Sequence, residues 1–452
     1  MEQNIDIVVI GAGLTGLTTA FYLQRQNKNF VVLEQRDRIG GVIKTTHDNG
    51  FTFEEGPNTG VLGNPDVAEL FEDLKGQCEL EIAGGKANKR YILKGGKWRA
   101  IPNGLIGGIS TPLFSWYDKF RILGEPFRKP GTNPDEVLAD MVKRRMGKSF
   151  LNYAVDPFIL GVYSGDPAKL ITKYAFPKLY NLEHDFGSFI GGSVKKMFAK
   201  KDERDKKATR KVFSVKGGLS NLTNALYKSA GENNFVLNAK NIEVKPFDGQ
   251  FKVTYTLNGQ QQTVVAKKVI STAGAHELNN LLKFEETDLI QKIQKLNYAK
   301  VIQVVIGFDK WEGMPLDGFG GLIPFIEKRD ILGALFLSSI LSERAPKEGA
   351  LVSVFVGGVR RTDLFDKSDK EITAIVEREF SDLMQVKDFN PDLFRIVRYK
   401  QAIPQYSFES AEKNLAIETL QNKYRGLQIG GNIRDGIGMA DRIKQGKALA
   451  NS

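Results

Sequence analysis

The sequence of 452 residues predicts a mixed α/β fold, α+β overall, with a discontinuous β-α-β unit, a mixed-sheet unit and a helical insertion. Three observations lead to this fold class. A buried strand at Ile5–Ile10 runs into a glycine-rich turn and a helical stretch, alternating strands recur after residue 207, and residues 100–206 have mainly helical periodicity. The chain is too long for one simple core, so two or three domains are expected.

A glycine-rich turn, Gly-Ala-Gly-Leu-Thr-Gly, follows the first strand. Gly11 permits the tight turn, Gly13 lets the backbone approach a pyrophosphate, and Gly16 lets helix and strand pack closely. The helix N-terminus offers free N–H groups and a partial positive charge to the phosphates. We therefore expect a Rossmann-like dinucleotide site whose first contacts include Leu14 and Thr15.

The second strand, Phe30–Leu33, ends in Glu34, which stands where an acid accepts hydrogen bonds from an adenosine ribose. The chain then continues with Arg36 and paired glycines, an extension that nicotinamide dehydrogenases generally lack. The extension resembles the flavoprotein family of amine oxidases, carotenoid desaturases and protoporphyrinogen oxidases, in which it lies along FAD. A solvated turn with incidental glycines is the alternative. The FAD contacts expected from this segment are Glu34, Gln35, Arg38, Gly40 and Gly41.

Two later segments carry similar signals, so the FAD-binding domain is expected to comprise residues 1–85, 207–283 and 398–452. The apolar run that begins at Val269 ends in small residues, as backbone passing close to a cofactor requires. Near the C-terminus, a strand at Leu427–Ile429 meets another glycine-rich turn, which delivers a helix N-terminus to an anionic group. The FAD contacts expected here are Thr272, Ala273, Gly274, Gly431, Asn432, Gly436, Ile437 and Met439.

The remaining segments form the other two predicted units. A substrate-binding domain is expected at residues 86–99 and 284–397, and a helical domain at residues 100–206, for which contact with a membrane is one open interpretation. The elements expected in them are strands at Val301–Phe308 and Leu351–Val356 and helices at Asp135–Arg145 and Lys370–Val386.

A β-hairpin is predicted around the sequence Lys-Gly-Gly-Lys at residues 94–97. The two-residue glycine turn sets Leu93 opposite Trp98 and Tyr91 opposite Ala100, which makes one face apolar. The other face is basic and carries Arg90, Lys94, Lys97 and Arg99. Two interpretations stay open: a solvated basic face, or a wall that presents cations to a carboxylate-bearing ligand.

The net charge is +11 and the pI is near 9.3, which can favour an anionic substrate, an anionic membrane or nucleic acid. Much of the excess lies in Lys195–Lys211, where nine Lys/Arg stand against three Asp/Glu. A mobile solvated loop is the plain interpretation, and no aromatic residues are interleaved there as in a nucleic-acid module. The uncharged stretch Ala100–Tyr117 contains two prolines and three glycines, which excludes a transmembrane helix and leaves an interfacial surface or a packed loop.

The single cysteine, Cys78, excludes an intramolecular disulfide, and His47, His184 and His276 are too scattered for a metal site. No C-terminal cysteine is available to carry flavin as a thioether, so FAD is expected to be non-covalent. The first strand begins at Ile5, which leaves no room for a signal or transit peptide. A cytoplasmic location is therefore expected.

Five motifs stand in the order found in one flavoprotein family: Phe53–Asn58, Arg90–Leu93, Gly161–Pro167, Ala402–Tyr406 and Gly431–Gly436. Together they closely resemble oxygen-dependent protoporphyrinogen oxidases, and the resemblance runs from residue 5 to residue 449. The Gly-Val-Tyr-Ser-Gly-Asp-Pro stretch is the most specific motif, because amine oxidases and desaturases differ there.

The resemblance implies that Arg90 lies near a substrate propionate, and that the residues around Asn58 border the substrate cavity near the isoalloxazine. It implies further substrate contacts at Gly161, Val162 and Tyr163, and FAD contacts at Gly56, Pro57 and Asn58. One departure concerns the Pro-Gln-Tyr motif, which the family commonly follows with a Gly-His pair. This chain has Ser407 and Phe408 after the tyrosine, so the local contacts near the flavin are open at that point.

The implied reaction is the FAD-dependent, six-electron oxidation of protoporphyrinogen IX to protoporphyrin IX in haem synthesis, with oxygen as the electron acceptor. Coproporphyrinogen III, which has four propionates instead of two, is the alternative substrate. Another amine-oxidase-like flavoenzyme and a flavin-less binding protein of the same fold are remote alternatives. Besides substrate and oxygen, an anionic membrane surface and a downstream haem-synthesis enzyme are the possible partners, and nucleic acid is not expected. No sequence feature identifies a general base.

Overall fold

The computed structural model describes residues 3–102, 104–198, 200, 202–284 and 288–452. Asn103 of the uncharged stretch, and Ala199 and Lys201 of the basic segment, lie outside the described residues. The strands are β1 (Gln3–Ile10), β2 (Phe30–Leu33), β3 (Lys44–Asp48), β4 (Phe51–Glu55), β5 (Gly60–Val61), β6 (Leu80–Ile82), β7 (Tyr91–Lys94), β8 (Lys97–Ala100), β9 (Val212–Val215), β10 (Phe235–Val236), β11 (Lys240–Phe247), β12 (Gln250–Leu257), β13 (Gln260–Ser271), β14 (Tyr298–Phe308), β15 (Gly320–Leu322), β16 (Ile331–Phe336), β17 (Ala350–Gly357), β18 (Leu393–Pro404) and β19 (Leu427–Ile429).

The helices are α1 (Leu14–Arg25), α2 (Pro65–Asp73), α3 (Gly104–Ser110), α4 (Trp116–Leu123), α5 (Leu138–Arg145), α6 (Lys148–Phe150), α7 (Asp156–Tyr163), α8 (Thr172–Ala175), α9 (Pro177–Phe186), α10 (Phe189–Phe198), α11 (Glu203–Lys206), α12 (Ser220–Ser229), α13 (Leu278–Leu281), α14 (Asp288–Gln294), α15 (Leu337–Ile340), α16 (Asp369–Met384), α17 (Ser410–Lys423) and α18 (Met439–Asn451). A π-helical turn, Leu151–Val155, leads into α7.

The first large sheet has the strand order β10-β2-β1-β13-β12-β11, with β19 beside β13. β1 runs parallel to β2 and β13, and β13 runs parallel to β19. Ile10 lies opposite both Leu33 and Ser271, and Ser271 lies opposite Ile429. The carboxyl ends of four strands therefore meet at one edge, where ligands of open parallel sheets bind. This edge joins three segments that are far apart in the sequence.

The second large sheet has the order β18-β14-β17-β16-β15-β7-β8, in which β7 and β15 are parallel and the other neighbours are antiparallel. α16 covers one face, where Val304 and Val354 share a buried cluster with Ile372 and Phe380. The opposite face packs in part against Phe51 of β4. The central strands β14 and β17 are buried, as the sequence predicted for Val301–Phe308 and Leu351–Val356, and their apolar runs are interrupted by Gln303 and Ser353.

The helical segment between these sheets is organised around a buried ion pair. Arg145 of α5 and Glu125 have no exposed side-chain surface, and Arg145 Nε donates to Glu125 Oε1 at 2.6 Å. The same carboxylate accepts a hydrogen bond from the hydroxyl of Ser188 at 2.6 Å and from the N–H of Phe189 at 2.9 Å. Glu125 thus satisfies free N–H groups at the start of α10. Removing either charge would leave its partner buried and uncompensated.

Two sequence expectations in this segment are wrong in part. The helix expected at Asp135–Arg145 begins only at Leu138, because Val137 has extended backbone and bridges to Ile171. The basic segment is also more ordered than a free solvated loop. It contains the end of α10 and all of α11, and Arg204 forms ion pairs with acidic residues of α2.

The uncharged stretch Ala100–Tyr117 holds α3 and the start of α4. On α4, four large side chains are between 62% and 74% exposed: Trp116, Tyr117, Phe120 and Leu123. Their spacing places them on one side of the helix. Across the described residues, no helix combines the length and the apolar character needed to cross a bilayer.

The division into three domains remains a prediction. The second sheet bears on one boundary, because β18 pairs with β14 from Leu393 to Pro404. The expected boundary at residue 398 would therefore cut a strand of that sheet. A boundary after Pro404 would keep the strand whole.

Candidate functional site

The three glycines after β1 differ in what surrounds them. At Gly11, where φ is +98°, a Cβ atom would lie 2.7 Å from the hydroxyl of Thr272. At Gly16 a Cβ atom would lie 1.9 Å from the carbonyl oxygen of Gly11, so the helix could not pack there. At Gly13 the nearest atom would be the Cα of Gly41, 4.0 Å away. Packing therefore requires glycine at positions 11 and 16, whereas the space at Gly13 is open and fits a phosphate group.

The start of α1 is suited to the same group. Gly13 provides no side-chain cap, and the first turn contains no acidic residue. Leu14 and Thr15 belong to this first turn, whose N–H groups have no acceptors within the helix. An uncapped helix N-terminus beside open space is a favourable site for an anion.

Glu34 is buried at the carboxyl end of β2. One carboxylate oxygen accepts the N–H of Ala12 at 2.7 Å, and the other accepts the N–H of Arg36 at 2.9 Å. Each oxygen retains a further lone pair, so the carboxylate can still accept hydrogen bonds from ribose hydroxyls. Glu34 therefore fixes the glycine-rich turn and remains available for the expected ligand.

The extension after Glu34 lies along the glycine-rich turn. Gly40 bridges to Gly13, and its N–H donates to the carbonyl of Ala12 at 2.8 Å. Arg38 donates to the carbonyl of Gly41 at 2.8 Å, so its guanidinium supports the loop from within the protein. Gln35 is exposed. The paired glycines thus lie beside the glycine-rich turn, where their contacts with FAD remain a prediction, and Arg38 has a structural task.

The C-terminal turn reaches the same edge of the first sheet. A Cβ atom at Gly431 would lie 2.7 Å from the carbonyl oxygen of Thr272, so the two expected segments touch. The hydroxyl of Tyr406 lies 2.9 Å from the carbonyl oxygens of Asn432 and Gly436. Met439 begins α18, whose cap Gly438 is again a glycine without a side chain. Ala273 and Gly274 follow Thr272, and Ile437 lies in the turn.

Sequence reasoning missed the residues that hold this turn. Arg442 and Gln445 are buried on α18, where Gln445 accepts the N–H of Gly431 at 2.7 Å and Arg442 donates to the carbonyl of Arg434 at 2.8 Å. The Nε of Arg442 has no hydrogen-bond partner among the described residues. The sequence signal that could have found both residues is their spacing of three positions on the predicted helix, which places them on the same side of it. A buried cation with a free N–H fits an anionic pyrophosphate, so the donor set suits a dinucleotide.

Asn58 lies in the turn between β4 and β5 and contacts the second sheet. Its side-chain oxygen accepts a hydrogen bond from Ser353 at 3.3 Å, and its amide donates to the carbonyl of Gly56 at 3.3 Å. Gln303 is fully buried beside it and accepts the N–H of Gly56 at 3.3 Å. The Gly-Pro-Asn turn, with Pro57 at its centre, therefore rests on β14 and β17.

A second buried carboxylate lies just before this turn. Glu54 and Arg344 are both 2% exposed and lie 3.3 Å apart. Burial raises the pKa of Glu54 above its ordinary value, against the hydrogen bonds from Leu219 and Thr45 and the attraction of Arg344. The pair thus links β4, just before the turn at Asn58, to the chain that follows α15.

α7 carries the most specific family motif and lies on the second sheet. At Gly161 a Cβ atom would lie 2.2 Å from Cδ2 of Leu322, so glycine is required for this close contact. Val162 is 42% exposed, whereas Tyr163 is buried and its hydroxyl donates to the carbonyl of Ala175 at 3.1 Å. The Tyr163 side chain is thus engaged within the helical segment, and its role at the substrate cavity remains a prediction.

The end of the motif is an ion-pair clamp. Arg360 lies 2.7 Å from Asp166 of the motif and 2.6 Å from Asp156 at the start of α7. The ring centre of Phe325 lies 4.7 Å from the guanidinium carbon of Arg360. The N–H of Phe325 donates a hydrogen bond of 2.8 Å to Asp156. Asp166, the acid of the Gly-Asp-Pro sequence, therefore helps to hold α7 on the second sheet.

The predicted hairpin is confirmed in its register. Leu93 lies opposite Trp98 and Tyr91 opposite Ala100, and these residues form the apolar face. On the basic face Ile92 is only 1% exposed. That face is therefore not simply solvated.

Helical residues cover part of the basic face. Lys94 donates to the carbonyl of Leu113 at 2.7 Å and lies 4.5 Å from the ring centre of Tyr153. Lys97 is exposed at the tip, Arg99 is half-buried, and Arg90 is exposed with its guanidinium 5.2 Å from the ring centre of Phe319.

Strand register connects the basic face with Asn58. Residues directly opposite each other project to the same face of a sheet. Ile92 lies opposite Leu322, and Leu322 lies opposite Gly333. Gly333 in turn lies opposite Phe355, two residues after the Ser353 that contacts Asn58. Asn58, Gly161 and the basic hairpin therefore meet one continuous face of the second sheet.

The chain matches a known family over most of its length. The model of the flavin containing amine oxidoreductases matches residues 14–451. Protoporphyrinogen oxidase 2, chloroplastic/mitochondrial, of Arabidopsis thaliana is 29% identical, with 98% of this chain and 93% of the relative covered. Coproporphyrinogen III oxidase of Staphylococcus aureus (strain NCTC 8325 / PS 47) is 26% identical, with 98% of each chain covered.

A solved structure agrees with the fold. A protein from Exiguobacterium sp. 255-15, proposed to be a protoporphyrinogen oxidase, superposes with a TM-score of 0.81 at 20% identity, over 100% of this chain and 99% of that one. The family match explains the open phosphate cradle at Gly13 and the acid at Glu34, because both fit its cofactor, FAD. The chain belongs to the flavin containing amine oxidoreductase family and is an FAD-dependent oxidoreductase related over nearly its whole length to porphyrinogen oxidases.

Proposed function

We propose that the protein oxidises protoporphyrinogen IX to protoporphyrin IX, with oxygen as the final electron acceptor. The observation that carries the proposal is the continuous face shared by Asn58, Leu322 and the basic hairpin. This face offers apolar surface with cations at one end, which suits a flat macrocycle that carries carboxylates at its edge. The names of the relatives support the same substrate class.

The side chains have positioning tasks in this proposal. When bound, FAD supplies a two-electron acceptor, so the macrocycle would lose its six electrons in three steps. Arg90 would bind a propionate through charge-assisted hydrogen bonds. Leu322 would border the macrocycle, and α7, which touches Leu322 at Gly161, would shield it from water. Holding a meso carbon against the flavin supplies the orientation that the reaction needs.

Coproporphyrinogen III is the second candidate substrate, and the basic hairpin is the observation that favours it. Four cationic residues share the face that reaches the proposed cavity: Arg90, Lys94, Lys97 and Arg99. Lys94 is engaged with backbone carbonyls of the helical segment, which leaves fewer cations for extra carboxylates. We place protoporphyrinogen first for that reason.

Parallel assays of both porphyrinogens test the proposal. The FAD-loaded protein is incubated with each substrate under air, and porphyrin fluorescence and hydrogen peroxide are measured together. We expect the higher kcat/KM with protoporphyrinogen IX. A higher kcat/KM with coproporphyrinogen III would reverse the order of the two candidates, and peroxide formed only with amines would reject both.

We also propose peripheral contact with an anionic membrane. The exposed side chains Trp116, Tyr117, Phe120 and Leu123 of α4 would enter the interface, while Lys119 and Arg121 on the same helix would meet lipid headgroups. Each cation near an anionic surface contributes about 1 kcal/mol. Because the product is poorly soluble, release near a membrane makes chemical sense.

Liposome sedimentation tests this contact. We expect binding to vesicles with anionic lipid at low salt and release at high salt, because the Debye length shortens. The variant Trp116→Ser/Phe120→Ser should bind less without loss of FAD. Absence of binding at low salt would show that this face has another use.

A further inference from the structure

Arg99 is a half-buried cation with no anionic partner in the part of the chain that the structure describes. It lies on β8, the edge strand of the second sheet, opposite Ile92 of β7. Two nearby cations have partners, since Lys89 pairs with Asp317 and Lys94 binds backbone carbonyls of the helical segment, whereas Arg90 and Lys97 are exposed. The Arg99 side chain has no hydrogen bond or ion pair with any residue that the structure describes. The part of the guanidinium that is shielded from water gains no compensating anion from these residues, and a ligand carboxylate would provide one.

The position of Arg99 relates it to Arg90. Arg90 lies two residues before Ile92 on β7, so Arg90 and Arg99 project from the same face of the hairpin. Diagonal neighbours of this kind have Cβ atoms about 7–8 Å apart. Two long guanidinium side chains at this spacing can each bind a separate carboxylate of one ligand.

The surface between the two arginines is apolar and covered. Ile92 is 1% exposed, and its register partner Leu322 is pressed against Gly161 of α7. Because this strip is covered, a ligand reaches the face at its rim, where two carboxylates side by side would meet the two guanidinium groups. A macrocycle with two propionates on neighbouring rings has this arrangement.

We propose that Arg99 binds a second substrate carboxylate, next to the one bound by Arg90. This inference rests on the proposed function, because it takes a porphyrinogen as the ligand. It adds a residue that the family motifs do not contain, since Arg99 stands after the Arg90–Leu93 motif, on the other strand of the hairpin. The task of Arg99 is recognition of the substrate and not chemistry.

Equilibrium binding tests the role of Arg99 independently of turnover. The FAD-loaded protein and its Arg99→Gln variant are titrated with protoporphyrin IX and with its dimethyl ester, followed by quenching of protein fluorescence. We expect about a tenfold weaker affinity of the variant for the diacid and no change for the diester, because only the diacid offers the carboxylate. Lys86→Gln, which removes one exposed charge outside the hairpin, should leave both affinities unchanged.

Steady-state kinetics provides the second readout. With protoporphyrinogen IX, Arg99→Gln should raise KM about tenfold and change kcat less than twofold, since a remote carboxylate binds equally in ground and transition states. Equal diacid affinity in wild type and Arg99→Gln would overturn the inference, as would an equal loss for the diester. If binding of the diacid depends on Arg99 but the wild type oxidises neither porphyrinogen, the proposed function fails while the carboxylate site stands.

Discussion

The side-chain amide of Gln405 donates a hydrogen bond of 2.9 Å to the backbone carbonyl of Tyr163. The two residues belong to different family motifs and are 242 positions apart in the sequence. Gln405 also donates to the carbonyl of Ile403 at 3.0 Å and is 5% exposed. One buried amide thus fixes the end of α7 to the end of β18, next to the departure at Ser407 and Phe408. Phe408 is 63% exposed, so this departure places an apolar ring at the surface.

Replacement of Gln405 by Leu should destabilise the protein by about 1–3 kcal/mol, because two buried carbonyls lose their donor. Denaturant unfolding of the FAD-loaded protein measures the change. Gln401→Leu on β18, four residues earlier, is the matched control, because Gln401 is exposed. Equal unfolding midpoints for the two variants would show that the amide does not hold α7.

Alanine at Gly13 should lower the affinity for FAD, whereas alanine at Gly16 should lower the stability of the protein itself. Gly13→Ala places its Cβ in the open space, so the protein without FAD should unfold at an unchanged temperature while FAD affinity falls at least tenfold through a clash with the phosphates. Gly16→Ala places its Cβ 1.9 Å from a carbonyl oxygen, so the protein itself should be destabilised. Calorimetry without FAD and flavin titration separate the two effects. A loss of intrinsic stability in Gly13→Ala would contradict the assigned cradle.

Glu34→Ala should weaken FAD binding by about 1.5–3 kcal/mol, because a charge-assisted ribose hydrogen bond is lost. Flavin content after extensive dialysis and titration of the protein with FAD measure the effect. The control is Asp37→Ala, which removes an exposed acid from the same loop. Full flavin content in dialysed Glu34→Ala would remove the ribose role and leave only the hydrogen bonds from the N–H groups of Ala12 and Arg36.

Arg90→Ala should raise KM about ten- to a hundredfold, since a partly desolvated guanidinium–carboxylate pair contributes about 1.5–3 kcal/mol. Turnover should change less, because the propionate is remote from the reacting carbon. FAD content should be unaltered, because Arg90 lies outside the phosphate-binding segments. Steady-state kinetics on both porphyrinogens checks this, and unchanged constants would mean that Arg90 is only stacked on Phe319.

Stability should depend on pH through Lys413, which is 2% exposed and bonded to the carbonyl of Ile433. Burial, aided by repulsion from Arg434, lowers the pKa of the Lys413 ammonium to about 8. Between that pH and the ordinary lysine value, the unfolded chain binds the proton and the folded chain does not, so the free energy of unfolding rises with pH. The gain should reach about 1–3 kcal/mol.

Unfolding curves from pH 7 to pH 10.5 for wild type and Lys413→Met isolate this contribution. The difference between the two proteins should grow with pH in favour of the wild type, whereas the exposed-site control Lys444→Met should run parallel to the wild type. A constant difference across this range would show that Lys413 has an ordinary pKa in the folded protein.

The sequence by itself determined the nucleotide edge and the hairpin. The strand–turn–helix unit from β1 to Glu34 follows from local rules, because apolar periodicity and the steric needs of glycine act over a few residues. The hairpin register is local as well, since a two-residue turn leaves one pairing that buries Leu93 and Trp98 on the same face. These parts agree with the structure nearly residue for residue.

Only the tertiary structure decided how the distant segments meet. No local pattern indicates that Tyr163 turns its hydroxyl to Ala175, that Lys94 is engaged by the helical segment, or that Arg442 holds the C-terminal turn. Each of these contacts joins two positions whose local sequence patterns are independent of each other. The partner is selected only in the folded chain, because a buried polar group must find a hydrogen-bond partner among the groups that the fold brings near it. For the same reason, the sequence neighbours of Arg99 do not reveal that its guanidinium has no anionic partner among the residues that the structure describes.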